Sequence, residues 1–248
     1  MSCVAIIGSG GVMGSILKQV IPTYDWISDV VGVTLHPTQD NEYLSLDHVQ
    51  KPIDVIIDFS TPSALRATLT YAAQHHIPCL IATTGLNDEH HQLMKEASQH
   101  TVVFESANLS IGVALLNHLL SQALTTLGSD INIEVVETHH TLKKDAPSGT
   151  AKLLANTITS YTGQHMVTDS AHSKGAQANT FGVHSLRLGK VVGEHSVSLA
   201  FGSEIITLSH SALSKDIFAH GACRIAKSLL DLEYGHYTMS DILKEINY

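Results

Sequence analysis

Three absences narrow the class of protein before any motif is considered. The chain has only three cysteines, Cys3, Cys79 and Cys223, and none forms a CxxC pair, which excludes a disulfide framework and cysteine-based zinc spacing. The formal charge is −9, which argues against a nucleic-acid partner because such proteins present a basic face. No apolar stretch approaches the ~18 residues needed to cross a bilayer, and Met1–Gly10 lacks the basic segment of a signal peptide. We therefore expect a cytoplasmic protein with no nucleic-acid and no membrane partner.

The first part of the chain alternates short apolar strands with helices. The predicted strands are Val4–Ile7, Val30–Leu35, Asp54–Asp58, Cys79–Ala82 and Thr101–Phe104. The predicted helices are one that ends near Val20, then Ser63–His76 and Asp88–Gln99. This alternation is typical of a Rossmann-like, doubly wound parallel sheet in an α/β protein.

The second part of the chain has a different pattern. A helix is predicted at Ile111–Leu127 and a strand at Ile131–Glu137, followed by a polar loop over residues 138–147 and a helix that begins at Ser148. Residues 183–210 alternate β-branched and polar residues between glycine breaks, which predicts an antiparallel meander. A closing amphipathic helix is predicted at Phe218–Leu232. The change of pattern indicates a second, α+β domain with a mainly antiparallel open sheet.

A glycine-rich turn joins the first strand to the first helix. Glycines allow the backbone to approach a pyrophosphate, and the helix start supplies free N–H groups and a positive dipole. The spacing departs from a strict GxGxxG, which would place its third glycine at Met13 rather than Gly14. The candidate cofactor-binding residues of this turn are Gly8, Ser9, Gly10, Gly11, Val12 and Met13.

The end of the second strand lacks the acid that normally binds the ribose hydroxyls of the dinucleotide. Residues 34–37 read Thr-Leu-His-Pro, with neither an acid nor an arginine. His36 can face a 2′-phosphate or cover the adenine, and Asp40 or Glu42 can reach from the following loop. The choice between NADH and NADPH therefore stays open.

Two further loops follow the fourth and fifth strands. Loops at the carboxyl ends of strands line the ligand crevice of a doubly wound sheet. Asn108 can both donate to and accept from a carboxamide. The candidate cofactor-binding residues here are Ala82, Thr83, Thr84, Ser106, Ala107, Asn108 and Leu109.

The segment from Glu134 to Ala151 concentrates the chemistry of the chain. His139 can deliver a proton near neutral pH, and Lys143 can add a charge-assisted bond to an anion. The hydroxyls and N–H groups of Ser148, Gly149 and Thr150 open a helix and suit a carboxylate. The alternative interpretation is a capped helix behind a solvated basic loop. We expect no metal site here, because Glu137, His139 and His140 would lie on alternate faces of one strand end.

This segment resembles that of the 4-hydroxy-tetrahydrodipicolinate reductases, also called dihydrodipicolinate reductases. Their signature reads approximately E-[AT]-H-H-x-x-K-x-D-A-P-S-G-T-A, and Glu137–Ala151 follows it throughout. The resemblance extends to Gly8–Gly14, Ala82–Gly85, Ser106–Asn108, Gly193–His195 and Ser214–Ala219.

The resemblance implies a function and a set of residue roles. It implies NADPH- or NADH-dependent reduction of a small cyclic dicarboxylate imine, with His139 as proton donor and Lys143 as second acid or charge stabiliser. His140, Ser148, Gly149 and Thr150 would bind the substrate. It also implies a homotetramer and a last helix that returns to the nucleotide-binding domain. The expected domains are therefore 1–109 with 219–248 for the dinucleotide and 110–218 for substrate binding and oligomerisation.

Two other functions stay open at this point. One is another two-domain NAD(P)-dependent oxidoreductase, acting on a sugar or an amino acid. The other is a non-catalytic NAD(P)H-sensing protein, which would keep the glycine turn but would not need His139 and Lys143.

Overall fold

A computed structural model describes residues 1–168 and 179–243. The described chain divides into two compact units. The first contains residues 1–110 and the described residues from 216 onward, and the second contains the described residues between 111 and 215. Two segments distant in sequence therefore build the first unit.

The first unit is built on a seven-stranded sheet in which all neighbouring strands are parallel. The strands are β1 (Ser2–Ile7), β2 (Ile27–Val33), β3 (Glu42–Tyr43), β4 (Val55–Asp58), β5 (Cys79–Ile81), β6 (Val102–Glu105) and β12 (Gly235–Thr238). Their order is β12-β6-β5-β4-β1-β2-β3. The chain runs outward from β1 on one side and from β4 on the other, so the topological switch point lies between these strands. Ligands of doubly wound sheets bind at that point, beyond the carboxyl ends of the strands.

Helices cover both faces of this sheet. They are α1 (Val12–Val20), α2 (Pro62–His75), α3 (Asp88–Ala97), α6 (Asp216–Leu229) and the short α7 (Met239–Ile242), with 3₁₀ turns at Ile21–Thr23 and Leu46–His48. α1 and α6 share one core cluster with Val4, Ile6 and Phe104 of the sheet. α2 and α3 pack on the opposite face. The result is the Rossmann-like architecture that the strand and helix alternation predicts.

The second unit has a five-stranded mixed sheet in the order β11-β10-β7-β9-β8. The strands are β7 (Asn132–His139), β8 (His165–Val167), β9 (Thr180–Arg187), β10 (Gly193–Phe201) and β11 (Glu204–Ala212). Two helices, α4 (Ile111–Leu127) and α5 (Gly149–Thr162), contribute apolar residues to the core on one face of this sheet. The fold class predicted from the sequence is thus confirmed in both units.

The strand pairing of the second sheet differs from a simple meander. β10 and β11 form the expected antiparallel hairpin, but β9 pairs with β7 and not with β10, and it does so in parallel. Alternation of apolar and polar residues identifies strands but does not encode which strand lies beside which. The insertion of β7 between β9 and β10 matters for the site, because it surrounds the end of β7 with residues from both neighbours.

Helix α6 packs closely against the rest of the first unit because its contacting residues are small. Ala219, Gly221 and Ala222 are buried, and a Cβ atom on Gly221 would collide with the carbonyl oxygen of Leu109. That backbone oxygen cannot yield as a flexible side chain would. A residue with any side chain at position 221 must therefore displace the helix.

We expect Gly221→Ala to lower the free energy of unfolding by about 1–3 kcal/mol, the usual cost of overpacking, despite the higher helix propensity of alanine. Denaturant unfolding measures it, with the exposed-site substitution Lys227→Ala in the same helix as the control. An unchanged or raised unfolding free energy in Gly221→Ala would contradict the role of this contact.

Candidate active site

The glycine turn lies at the switch point of the first sheet and is held there by the backbone. The N–H groups of Gly8 and Ser9 both donate to the carbonyl of Val33, at 2.9 and 3.2 Å. Gly8 has φ +81°, a conformation that favours glycine. A Cβ atom on Gly14 would lie 2.7 Å from the Cα of Ser9, so the turn and the first turn of α1 pack without space for a side chain. Gly11 is the N-cap of α1, and the N–H groups that follow it have no partner within the helix.

The residues predicted to bind the cofactor in this turn differ in exposure. Gly10, Gly11 and Val12 are exposed, Gly8 and Met13 are half-buried, and Ser9 is fully buried. The side chain of Ser9 points into the protein, where its hydroxyl donates to Glu42 at 3.3 Å, so that side chain is not available to a ligand.

A buried aspartate that sequence reasoning missed ties together the turns after β4 and β5. The Oδ1 atom of Asp58 accepts from the backbone and hydroxyl of Ser60, at 2.8 and 2.5 Å, and from the hydroxyl of Thr83 at 2.9 Å. Burial raises the pKa of Asp58, opposed by the hydrogen bonds from Ser60 and Thr83. Thr83 is therefore committed inward, whereas Thr84 is exposed and Ala82 half-buried. Asp58 therefore fixes the turns after β4 and β5 relative to each other.

The turn after β6 is stabilised by its own side chains. The hydroxyl of Ser106 donates to the carbonyl of Asn108 at 2.7 Å, and the side-chain oxygen of Asn108 accepts from the N–H of Ser110 at 2.9 Å. Leu109 is buried in the core, and Ala107 is exposed. Of the residues predicted here, Leu109 can therefore contribute only backbone to a ligand.

Glu42 resolves one question that the sequence left open at the end of β2. Its carboxylate is buried and accepts from Lys18 Nζ at 2.8 Å, from the N–H of Thr38 at 2.8 Å, and from the hydroxyl of Ser9 at 3.3 Å. The Lys18 hydrogen bond, followed by that of Thr38, lowers the pKa of Glu42 to about 2. Glu42 thus anchors the loop after β2 to the glycine turn, and its carboxylate is fully engaged by these groups.

The other two candidates near the end of β2 lie on the surface. Asp40 and His36 are both exposed. β2 ends at Val33, two residues earlier than predicted, so residues 34–37 form part of the loop.

In the second unit, the polar loop begins later than the sequence predicts. β7 continues to His139, because Thr138 pairs with Glu194 of β10 and His139 pairs with Arg187 of β9. His139 is therefore a buried residue on a central strand, 7% exposed, and not a loop residue. His140, the next residue, is half-buried.

The buried Glu137 joins His139 to the rest of this site. Its Oε1 atom accepts from both Nη atoms of Arg187, each at 3.2 Å, and from the N–H of Ser148 at 3.3 Å. Its Oε2 atom is in close contact with Nδ1 of His139. Burial raises the pKa of Glu137, but the hydrogen bond from Ser185 and the charges of His139 and Arg187 outweigh it, so the net pKa is lowered.

The imidazole of His139 is subject to opposing influences. Burial lowers its pKa, the neighbouring Glu137 carboxylate raises it, and the charges of Lys143 and Arg187 lower it again. The net pKa lies below the ordinary value for histidine. The lowered pKa favours the neutral imidazole, and the carboxylate of Glu137 is the neighbour that favours the protonated form.

A second histidine that sequence reasoning left without a role lies beside His139. The His195 ring, from β10, makes an edge contact with His139 at 5.1 Å between centroids, and its Nε2 atom is 3.0 Å from Oγ of Ser148. Burial, then the charge of His139, lowers the pKa of His195 to about 4. The motif Gly193–His195 signalled this residue, but only the register of β7 and β10 shows where it points.

Arg187 also orders the loop that carries Lys143. Its Nε atom donates to the carbonyl of Lys143 at 3.3 Å, and Nη2 donates to the carbonyl of Asp145 at 2.6 Å. Lys143 Nζ lies 2.8 Å from Oδ1 of Asp145, and the Lys143 side chain is 22% exposed. The charge of Lys143 is thus held close to the end of β7.

The start of α5 completes the arrangement. Ser148 is the N-cap, and its Oγ accepts from the N–H of Ala151 at 3.2 Å. The first N–H groups of a helix have no partner within it and carry partial positive charge. Gly149 is exposed, and a Cβ atom placed on it would meet no atom within 4 Å, so the approach to these N–H groups is open. The helix start and Thr150, which is half-buried, form a site suited to a carboxylate.

None of the helices described in residues 1–168 and 179–243 combines the length and the apolar character needed to cross a membrane.

The first unit has a parallel sheet with a glycine turn at its switch point. The second unit has a histidine, a lysine and a helix start suited to an anion. Together these features define the class of NAD(P)-dependent oxidoreductases. Two family models match the chain: dihydrodipicolinate reductase N-terminus over residues 2–109, and dihydrodipicolinate reductase C-terminus over residues 112–243. The chain belongs to the dihydrodipicolinate reductase family.

Individual relatives agree with this assignment. The 4-hydroxy-tetrahydrodipicolinate reductase of Clostridium novyi is 36% identical over 252 residues, covering 100% of both chains. That of Exiguobacterium sp. strain AT1b is 40% identical over 244 residues, covering 96% of this chain and 94% of the relative. The dipicolinate-bound dihydrodipicolinate reductase of Paenisporosarcina sp. TG-14 shares the fold, with a TM-score of 0.81 at 23% identity over 96% of this chain and 97% of that one.

The Glu42 anchor generates a prediction about stability and pH. A carboxyl group whose folded pKa is lowered stabilises the fold above its unfolded pKa, and this contribution is lost as the pH falls towards the folded value. We expect Glu42→Gln to lower the unfolding free energy at neutral pH by about 1.5–3 kcal/mol, the usual value for a hydrogen bond to a charged group. The difference from the wild type should shrink between the ordinary carboxyl pKa of 4.5 and about 2.

Denaturant unfolding across this pH range measures the effect. Asp40→Asn removes an exposed carboxylate from the same loop and serves as the matched control. A pH-independent difference between Glu42→Gln and the wild type would show that the Lys18–Glu42 pair is not its source.

Proposed function

We propose that the chain catalyses NAD(P)H-dependent reduction of 4-hydroxy-tetrahydrodipicolinate, through the cyclic imine dihydrodipicolinate, to tetrahydrodipicolinate in diaminopimelate and lysine biosynthesis. Membership of the family supports this reaction, because the relatives that align over 94–100% of their own length are named 4-hydroxy-tetrahydrodipicolinate reductase. The observation that carries the assignment of residues is the buried Glu137–His139 pair beside the open helix start of α5. The dipicolinate bound to the Paenisporosarcina enzyme supports a small cyclic dicarboxylate as the ligand.

A bound reduced nicotinamide would supply the hydride for the conjugated imine, and the ring carbon that gathers negative charge would take a proton. His139 supplies that proton from its ring nitrogen Nε2, because Nδ1 faces Glu137. Glu137 stabilises the protonated imidazole and fixes its orientation. Arg187 and the N–H of Ser148 hold the other carboxylate oxygen, so Glu137 cannot turn away.

The dicarboxylate is held by charge and by hydrogen-bond donors of one loop and one helix start. Lys143 supplies the positive charge, and Gly149 and Thr150 supply N–H groups, with His140 beside them. Ser148 Oγ accepts from Ala151, and in the tautomer with a proton on Nε2 of His195 it accepts from that ring as well. With both acceptor sites occupied, the hydroxyl proton is available to a carboxylate.

The N-terminal domain of this family is its NAD(P)-binding domain, and the family uses NADH or NADPH. The residues proposed to hold the cofactor are Gly8, Ser9, Gly10, Gly11, Val12, Met13, His36, Ala82, Thr83, Thr84, Ser106, Ala107, Asn108 and Leu109. Two of these, Ser9 and Leu109, are proposed to act through their backbones. Because Glu42 is committed to Lys18, its carboxylate is not available to bind the ribose 2′-hydroxyl, and we propose that both cofactors serve.

We expect His139→Gln and Lys143→Ala each to lower kcat at least ~100-fold, the usual size of a lost acid–base or electrostatic contribution. The measurement is NAD(P)H oxidation with freshly generated substrate and each cofactor. Lys144→Ala removes the neighbouring exposed lysine and should stay close to the wild-type rate.

Pyridine-2,6-dicarboxylate distinguishes this function from reduction of a sugar. It should compete with the substrate only if the substrate site binds two carboxylates. Near-wild-type rates in both variants would remove the proposed roles. The absence of any NAD(P)H oxidation with the imine would instead favour a sensing protein.

We also propose a cytoplasmic homotetramer assembled through the second sheet. The face of this sheet opposite its core carries apolar side chains that remain exposed in the described residues: Val136, Leu186 and Ile205 are 36%, 52% and 70% exposed. Exposed apolar patches of this kind are typical of association surfaces.

We expect light scattering to give four chains per particle, and the double variant Leu186→Glu with Ile205→Glu to give smaller particles. Leu35→Glu changes a leucine of the first unit that is 83% exposed, more than either of these residues, and is the control. A wild-type particle of one chain, or an unchanged tetramer in the double variant, would overturn the proposal.

A further inference from the structure

The side chains of Glu137, His139 and His195 form a group with the composition and spacing of metal ligands. Each offers one donor atom, and these atoms all lie within 4.8 Å of one another. In residues 1–168 and 179–243 this is the sole group of histidine, cysteine or carboxylate side chains that meets this criterion. We propose that the triad binds one Zn²⁺ ion reversibly and that the bound ion switches the reductase off. The inhibition, but not the binding, rests on the proposed function of His139.

The three donors project from fixed positions on adjacent strands. His195 of β10 lies directly opposite Glu137 of β7 in the antiparallel register, and His139 is two residues further along β7 on the same face. The expectation that residues near this strand end point to alternate faces is therefore wrong for Glu137 and His139, and His140 is not a member of the group. Donors on central strands need little reorganisation to converge on an ion.

The donor atoms are available. Nδ1 of His195 has no hydrogen-bond partner among the described residues. Oε2 of Glu137 and Nδ1 of His139 face each other in close contact, an arrangement that fits a hydrogen bond carrying one proton. A divalent ion would replace that proton, which is released to solvent. All three residues are buried, which limits competition from water.

The donor set matches zinc chemistry. Two imidazoles and one carboxylate are a ligand set that zinc uses when it keeps a fourth position open. Zn–N bonds of about 2.0–2.1 Å place tetrahedral donors roughly 3.4 Å apart, so Glu137 and His139, which are in closer contact than that, must move apart while His195 turns towards them. Ser148 and Arg187 already hold the remaining atoms of His195 and Glu137, as outer partners of metal ligands do.

The same surroundings make the site weak enough to be reversible. The charge of Arg187 lies 3.2 Å from Oε1 of Glu137 and reduces the attraction of that carboxylate for a cation. Lys143 adds a second positive charge nearby. Because these charges weaken binding, the site would be occupied only when the concentration of free Zn²⁺ is high.

Zinc on Nδ1 of His139 would stop proton delivery. The imidazolium ion gives up a proton easily near neutral pH, whereas a neutral, metal-bound imidazole keeps its remaining N–H far more firmly. The ion would also lie next to the open start of α5 and compete with Lys143 for a substrate carboxylate.

Binding can be measured without activity. Metal-free protein is titrated with Co²⁺, whose visible absorption reports a four-coordinate site, and then with Zn²⁺ against a coloured chelator. We expect one ion per chain, and at least ~10-fold weaker binding in His195→Gln and in Glu137→Gln. His195→Cys keeps a ligand at this position and should retain cobalt with an added thiolate absorption band.

The matched control is His184→Gln. His184 and Glu134 form a comparable pair, 2.7 Å apart on β9 and β7, but on the other face of the sheet and without a third ligand. Its zinc affinity should equal that of the wild type. Circular dichroism and thermal unfolding establish that each variant is folded.

The outcomes separate the two proposals. No stoichiometric binding, or equal loss in His184→Gln and His195→Gln, overturns the zinc site while leaving the reductase assignment intact. Zinc bound by the triad without inhibition of NAD(P)H oxidation overturns the switch and counts against His139 as proton donor. Binding by the triad with inhibition that EDTA reverses supports both.

Discussion

The buried carboxylate of Glu137 is the interaction on which the second unit's site depends. One negative charge, 0% exposed, organises an arginine, a histidine and the first residue of a helix. A buried carboxylate must be compensated, and each compensating group here is also a functional element. Arg187 orders the loop of Lys143, Ser148 is the N-cap of α5, and His139 is the proposed proton donor. The chemistry and the electrostatic stability of this region therefore have the same origin.

The first unit uses the same device with a different outcome. Glu42 is buried beside the glycine turn and compensated by Lys18, Thr38 and Ser9. Here the carboxylate has a structural role, because its contacts with these residues fix the loop after β2. Asp58 acts similarly between the turns after β4 and β5. Three internal acids thus position most of the loops that the proposed function uses.

Much of this arrangement could be predicted from the amino-acid pattern. The strands β1, β2, β4, β5 and β6, the glycine turn and the helix beginning at Ser148 follow from local periodicity and capping, and helix α4 matches its predicted bounds. What failed depends on contacts between distant residues. The parallel place of β9 beside β7, the extension of β7 to His139 and the short strands β3, β8 and β12 all arise from pairing.

The side-chain partners were beyond prediction for the same reason. His195 and Arg187 lie on strands that flank β7, and only the register shows that both reach Glu137. The direction of Glu42 depends on Lys18, 24 residues earlier in the chain. Sequence motifs identified the histidine, the lysine and the helix start. Nothing in the sequence indicated that Glu137 organises them.

The order of segments along the chain has a consequence for biosynthesis. α6 covers Val4, Ile6 and Phe104 of the first sheet, yet it is translated only after the whole second unit. On the ribosome the second unit can complete its core first, while the part of this face that α6 covers, next to α1, stays exposed. A nascent chain that stalls before residue 216 would expose an apolar sheet surface, the kind of intermediate on which chaperones act.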